Sequence, residues 1–229
     1  MITKRAKNER GHLRIDWLDA KYTFSFGSYF DPEWMGFRSL RVINDDIIDE
    51  GMGFGTHPHR DMEIISFILE GALEHKDALG NHSVIRPGEI QIMSAGSGIE
   101  HSEFNPSKSD KTHSLQIWIE PNIKGIKPRY EQFKYDQQDN ALTLIASPDG
   151  GENIAKIYQD TKIYHGIVKQ KKYSESLNQI RHYWLQVIQG TGIVNDVAVT
   201  SGDGLAISEV DSLELESQET FKFLLFDMA

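Results

Sequence analysis

Three histidines and a carboxylate stand at spacings that can hold a metal ion: His57-Pro58-His59 and His101-Ser102-Glu103. In a β-strand, residues i and i+2 project from the same face, about 7 Å apart, so His57 and His59 share a face, as do His101 and Glu103. Two such strands laid side by side in a small barrel bring these nitrogen and oxygen donors toward one interior point. Imidazole and carboxylate suit a first-row divalent ion, and a three-histidine, one-carboxylate set leaves positions open to exchangeable ligands. Glu63 has the same parity as His57 and His59 and is a further carboxylate that can face inward.

The surrounding text is built to position such donors on strands. Residues 63–70 read EIISFILE, a β-branched and aromatic run of strand length that Gly71 ends. Ala78-Leu79-Gly80-Asn81 supplies a turn, Ser83-Val84-Ile85-Arg86 a short strand, Pro87-Gly88 a tight turn and residues 89–93 another strand. Ala95-Gly96-Ser97-Gly98 then bends the chain just ahead of His101. Residues 114–120 (SLQIWIE) close the series. Short strands punctuated this often indicate an antiparallel barrel or jelly roll. Pro58 has no N–H to give a sheet, so its strand must lie at an edge or a barrel mouth.

Gly51, His57-x-His59, Glu63 and Gly71, followed by Pro87-x-Glu89 and His101-x-x-x-Asn105, resemble the two cupin motifs. The finer text, GFGTHPHRDMEI and PGEIQIMSAGSGIEHSE, resembles the pirin family of bicupins, and Arg10-Gly11-His12, Trp17-Leu18-Asp19 and Tyr29-Phe30-Asp31 extend the likeness through the first 130 residues. Within that family the chain is most similar to bacterial members with quercetin 2,3-dioxygenase activity. The resemblance implies an all-β chain of two cupin barrels. It implies one divalent transition metal held by His57, His59, His101 and Glu103, with Glu63 as an outer or structural carboxylate. Iron is the first expectation; copper, nickel, manganese, cobalt and zinc also suit such donors. The implied substrates are a chelating flavonol such as quercetin and O2, with Glu103 as the catalytic base and ring opening to a depside and carbon monoxide. The same resemblance covers a second class: redox-responsive, metal-binding regulators that bind protein partners without catalysis.

Composition bounds the rest. The chain has 229 residues, 39% of them hydrophobic, enough for packed cores. A net charge of −10 without a long basic block disfavours direct nucleic-acid binding. No stretch approaches the roughly 20 apolar residues of a membrane helix, and the basic N-terminus is not followed by an apolar segment, so a cytoplasmic location is expected. Cysteine is absent, which excludes disulfides, thiolate catalysis and sulfur-ligated clusters. Any metal must sit on nitrogen and oxygen.

The expected domains are a metal-binding barrel over 1–130 and a degenerate barrel over 131–229, joined through the polar tract 121–139. Trp184-Leu185-Gln186-Val187-Ile188-Gln189-Gly190 parallels Ile65-Ser66-Phe67-Ile68-Leu69-Glu70-Gly71, and Ser201-Gly202-Asp203 parallels Pro87-Gly88-Glu89. Counting outward from those glycines sets Ser176, Asn178, Leu215 and Ser217 where the first copy has its donors, so the second copy is expected to bind no metal. His12, His75, His82, His113, His165 and His182 are expected to be solvated or hydrogen-bonded histidines rather than ligands. Met52, Phe54 and Met93 are candidate apolar contacts for flat rings, with core packing as their alternative role.

Overall fold

The computed structural model describes residues 1–169 and 172–229. They form strands, turns and irregular segments; among them there is no helix, and so none long and apolar enough to cross a membrane. The chain divides into two compact units, one of Gly11–Tyr135 with Pro148–Gln159, the other of Met1–Arg10, Asp136–Ser147 and Asp160–Ala229.

In the first unit a seven-stranded sheet runs in the order Arg129–Lys134, Glu89–Ser94, Glu63–Glu70, Thr112–Ile119, Leu40–Ile48, Leu18–Tyr22, Gly11–Ile15. Its companion is a four-stranded sheet ordered Gly53–His59, Ile99–Phe104, Leu73–Asp77, His82–Ile85. The neighbours pair antiparallel. Alternation drives this arrangement: Leu18, Ala20 and Tyr22 point one way along their strand and join Ile48, Ile68, Leu73 and Ile85 in an apolar cluster. Glu63–Glu70 is buried over its first six residues, as a central strand covered on both faces must be.

The second unit repeats the plan. One sheet carries Ile2–Arg5, Gly204–Ser208, His182–Gln189, Thr220–Met228, Thr161–Lys169 and Ala141–Ser147 in that order, and a four-stranded sheet carries Lys172–Ser176, Ser212–Glu216, Thr191–Val194 and Val197–Thr200. Its core is continuous and apolar, with Leu185, Val187, Val194, Leu205, Leu213, Leu215, Phe221 and Phe223 all buried.

The division differs from a single cut at 130/131. Ile2–Arg5 pairs with Gly204–Ser208, with Ile2 opposite Ile207, so the first strand of the chain completes the second barrel's sheet. Arg129–Lys134 pairs with Glu89–Ser94 in the same role for the first barrel. The tract that reads as a polar linker is thus partly a strand, half-buried from Arg129 through Phe133 against the sheet it joins.

Candidate metal centre

The small sheet of the first barrel carries the histidine donors on two neighbouring strands. Gly53–His59 lies at the sheet edge, as Pro58 requires, and along it His57 and His59 are half-buried while Pro58 between them is exposed. Ile99–Phe104 runs beside it, with His101 directly opposite His57 and with Ile99, His101 and Glu103 all turned inward. Between His101 and Glu103 the register slips: Glu103 pairs with Phe54, so the edge strand carries an extra residue there. Such a bulge twists an edge strand and re-aims its side chains. Close approach also explains Gly53, where a Cβ would collide with the Glu103 carbonyl.

Three rings converge. The centroids of His57 and His101 lie 4.4 Å apart, those of His57 and His59 4.8 Å, and those of His59 and His101 4.9 Å. Each offers a nitrogen within 4.8 Å of the other two. The Nδ1–H of His57 donates to the Gly55 carbonyl at 2.8 Å, which fixes the tautomer and leaves Nε2 as the lone-pair nitrogen. His59 Nε2 and His101 Nε2 are buried and have no hydrogen-bond partner. A buried acceptor without a donor costs about 1–3 kcal/mol, so two of them side by side fit a cation that uses both lone pairs. Burial, followed by repulsion from His101 and His57, pushes His59 down to about 4 despite the nearby Glu103. Burial and then the neighbouring His57 and His75 push His101 down to about 3, against the pull of Asp77. Near neutral pH both rings keep their lone pairs free for a metal.

Glu103 belongs to a second group, lying with His101 and His75 within 4.8 Å. Its Oε1 accepts from Ser66 Oγ at 3.0 Å and its Oε2 from Gln116 Nε2 at 2.7 Å, so two neutral donors aim the carboxylate and a lone pair on each oxygen remains. Glu63 is in neither group. Its carboxylate accepts from Ser94 Oγ at 2.8 Å and from the Tyr158 amide at 3.4 Å, and burial raises its pKa against those bonds and the Arg129 charge. It ties strands of the first barrel together.

A cavity of about 400 Å³ opens beside the rings, lined by His57, His59, Trp17, Phe26, Phe54 and Trp118 among others. The aromatic walls brace one another edge-on, Trp17 against Phe54 at 5.2 Å and Phe26 against Trp118 at 5.3 Å. Asn44 and Asp46 also line it; Asn44 Oδ1 and Trp118 Nε1 are buried without partners. Burial, then the charges of Asp45 and Glu103, raise the Asp46 pKa well above the ordinary carboxylate value. Of the apolar candidates, Phe54 lines this cavity, Met52 is largely exposed, and Met93 is core, packed with Ile64, Ala95 and Ile99.

His75 is the residue that sequence reasoning passed over. It is fully buried, with its Nδ1 3.4 Å from His101 Nδ1 and its Nε2 3.1 Å from Asp77 Oδ2. Its i+2 spacing to Asp77 was the available signal. The other histidines expected to be ordinary lie in neither donor group, and His12, His82 and His113 pair with Asp19, Glu74 and Asp45.

In the second barrel, register supplies a firmer alignment than counting. Glu103 pairs with His75, four residues after Gly71; Leu215 pairs with Val194, four residues after Gly190. Leu215 therefore matches Glu103, and Leu213 matches His101. Leu213 pairs with Glu175, which matches His57, and Leu177 follows at the place of His59. Glu175, Leu177 and Leu213 thus take the places expected for Ser176, Asn178 and Leu215, and Leu215 takes that expected for Ser217. The segment before Gly190 is one residue longer than its partner, and the segment after Gly202 two residues shorter, so simple counting slips. Among the described residues the second barrel has no group of potential metal donors.

Known proteins match along the whole chain. The family pattern described as Pirin matches residues 3–119, and that described as Quercetinase C-terminal cupin domain matches residues 144–228. The quercetin 2,3-dioxygenase of Escherichia coli K12 is 45% identical over 229 residues, covering 100% of this chain and 99% of the relative. The crystal structure of YhhW from Escherichia coli superposes with a TM-score of 0.96 at 45% identity, covering 100% of this chain and 98% of that one. A structure of the bacterial pirin YhhW in complex with nickel(II) gives 0.94 at the same identity, covering 100% and 99%. With two antiparallel barrels, a histidine cluster in the first and matches of this extent, the chain is a two-cupin protein and belongs to the pirin family.

Proposed function

We propose that this protein is a metal-dependent dioxygenase that opens the central ring of quercetin-type flavonols with O2 and releases carbon monoxide. The observation that carries the reading is the juxtaposition of the three-histidine cluster with an aromatic-walled cavity of about 400 Å³. That volume lies within the range of small-molecule sites. The name of the Escherichia coli relative supports the choice of substrate class.

His57, His59, His101 and Glu103 would hold one divalent ion, iron by expectation. The nickel complex of the Escherichia coli relative supports a site able to take other first-row ions. When bound, the metal would supply a Lewis-acidic centre with open positions for a chelating hydroxyl and carbonyl pair and for O2. The protein does the rest by position. Trp17, Phe26, Phe54 and Trp118 offer edge-braced walls to a flat ring system and exclude water around it. Asn44 Oδ1 and Trp118 Nε1, buried and unpaired, would accept from and donate to the substrate's hydroxyls. Glu103, aimed by Ser66 and Gln116, is the carboxylate we assign to take the hydroxyl proton.

The test is aerobic turnover of quercetin by metal-loaded and metal-stripped protein, with carbon monoxide measured directly. Quercetin loss with matching carbon monoxide release, abolished by stripping and restored by metal, is the expected result. A loaded protein that binds quercetin but releases no carbon monoxide overturns the proposed reaction.

A further inference from the structure

We infer that His75 and Asp77 form a buried proton-ordering pair that fixes the tautomer of His101, and so act as positioning residues for the metal centre. The inference rests on the reading of His101 as a ligand and adds to it how the ring is prepared.

The side chains of both His75 and Asp77 are fully buried. Asp77 is anchored from all sides: Oδ1 accepts from the amides of Leu79 at 2.9 Å and Asn81 at 3.0 Å and from Asn81 Nδ2 at 3.1 Å, while Oδ2 accepts from Asn81 Nδ2 at 2.8 Å. Its remaining partner is His75 Nε2 at 3.1 Å. An ionised carboxylate only accepts, so His75 Nε2 carries a proton and donates it. In a neutral imidazole the other nitrogen is then an acceptor, and His75 Nδ1 faces His101 Nδ1 at 3.4 Å. Two facing nitrogens share one hydrogen bond only if one of them carries the proton, so His101 is protonated at Nδ1. That leaves the lone pair of His101 on Nε2, the buried nitrogen without a partner. Tyr130 packs against the His75 ring, centroids 4.7 Å apart at 32°. A second ion between His75, His101 and Glu103 would have to break the bond that joins the two rings. His75 and His101 are instead joined to Asp77 in an orienting chain, while Glu103 is held by Ser66 and Gln116.

Asp77→Asn tests the direction of that chain. The new amide must keep its oxygen at the Oδ1 position, where three donors converge, and so turns its NH2 toward His75 Nε2. His75 must then carry its proton on Nδ1 and donate to His101 Nδ1, which moves the His101 proton to Nε2 and blocks the lone pair. Removing His75 as well frees His101 to choose its tautomer. At constant pH, nickel(II) affinity by chelator competition should fall about 100-fold in Asp77→Asn and about 10-fold in His75→Ala, the ends of the range for partners behind a ligand. The double variant should return to the His75→Ala level, a suppression that a merely structural role would not give. Additive losses in the double variant overturn the inference. An independent reading comes from wild-type protein loaded with diamagnetic zinc, by long-range 1H–15N correlation of labelled histidines. His75 should show its proton on Nε2 and His101 on Nδ1; a His75 proton on Nδ1 overturns the inference even where no variant folds. If wild-type protein binds neither ion, the reading of the site fails and the inference with it, an outcome distinct from metal bound with the tautomers reversed.

Discussion

In the first barrel the paired strands Gly53–His59 and Ile99–Phe104 carry His57, His101 and Glu103 at the register positions where Lys172–Ser176 and Ser212–Glu216 carry Glu175, Leu213 and Leu215 in the second. Strand order in the small sheets is the same, and so is the offset of the matching pairs from Gly71 and Gly190. The difference lies in what fills the positions. Leu213 and Leu215 join a dry core, where each fully buried side chain contributes about 1.5–3 kcal/mol. The first barrel gives up that gain, and it keeps the His59 and His101 nitrogens unpaired. One framework thus serves two ends: apolar residues at these positions stabilise the fold, whereas polar ones are costly unless something binds them.

The strongest way to break the comparison is to remove a proposed ligand. Elemental analysis of the wild-type chain is expected to find one equivalent of metal, and His101→Ala should abolish it, a loss well beyond the roughly 10–100-fold of an outer partner, with the fold retained. His57→Ala should do the same. Full occupancy in both would mean that the histidine cluster is not the site. The bound ion should also raise the melting temperature of the wild-type protein, because it binds only the folded state, and leave that of His101→Ala unchanged.

The second barrel should respond in the opposite currency. Leu215→Ala, which empties a core position, is expected to cost about 2–5 kcal/mol in unfolding free energy without changing metal content. Denaturant titration and elemental analysis on the same sample check both halves. Metal loss in Leu215→Ala at temperatures where it remains folded would show that the second barrel is not silent.

The carboxylates give a finer cut within the first barrel. Glu103→Gln should be metal-poor, and excess metal should not restore quercetin turnover, since an amide is no base near neutral pH. Glu63→Gln should keep its metal and most of its turnover, because Glu63 bonds Ser94 and Tyr158 rather than the histidines. The reverse outcome, a metal-free Glu63→Gln beside a loaded and active Glu103→Gln, would transfer the ligand role to Glu63.

How much of this was legible depends on how local the cause is. His57 and His59 share a face because of strand parity alone, and Pro58 puts them on an edge for a reason internal to proline. Both can be read from three residues. The His75 to His101 contact cannot, because it depends on Leu73–Asp77 pairing beside Ile99–Phe104, a register that no short window contains. The same holds for Ile2–Arg5, whose partner strand lies some two hundred residues away in sequence. The second barrel's counterparts were displaced by loops of unequal length, which change counting but not hydrogen-bond register.

The smallest expected effect separates the barrels by acid titration of metal-free protein. Burial, helped by the Lys222 charge, pushes His165 of the second barrel down to about 4, and burial likewise lowers His59 and His101 of the first. For a histidine lowered in the folded state, the unfolded chain binds the extra proton first, so its contribution is present above about pH 6.5 and is lost as pH falls toward the folded value. Each such ring contributes a slope of at most about 1.4 kcal/mol per pH unit within that window. Asp46 and Glu63 act with the opposite sign: their raised folded values favour the protonated form, so they oppose the loss as pH falls, and both belong to the first barrel. His165→Gln removes one ring from a barrel in which no carboxyl is raised among the described groups. Its melting temperature should fall less steeply than that of wild type between pH 6.5 and 4, with equal slopes above pH 7.5. Parallel curves across the acid window would mean that His165 is not held unprotonated by its burial, and that the polar cost of this fold is confined to the first barrel.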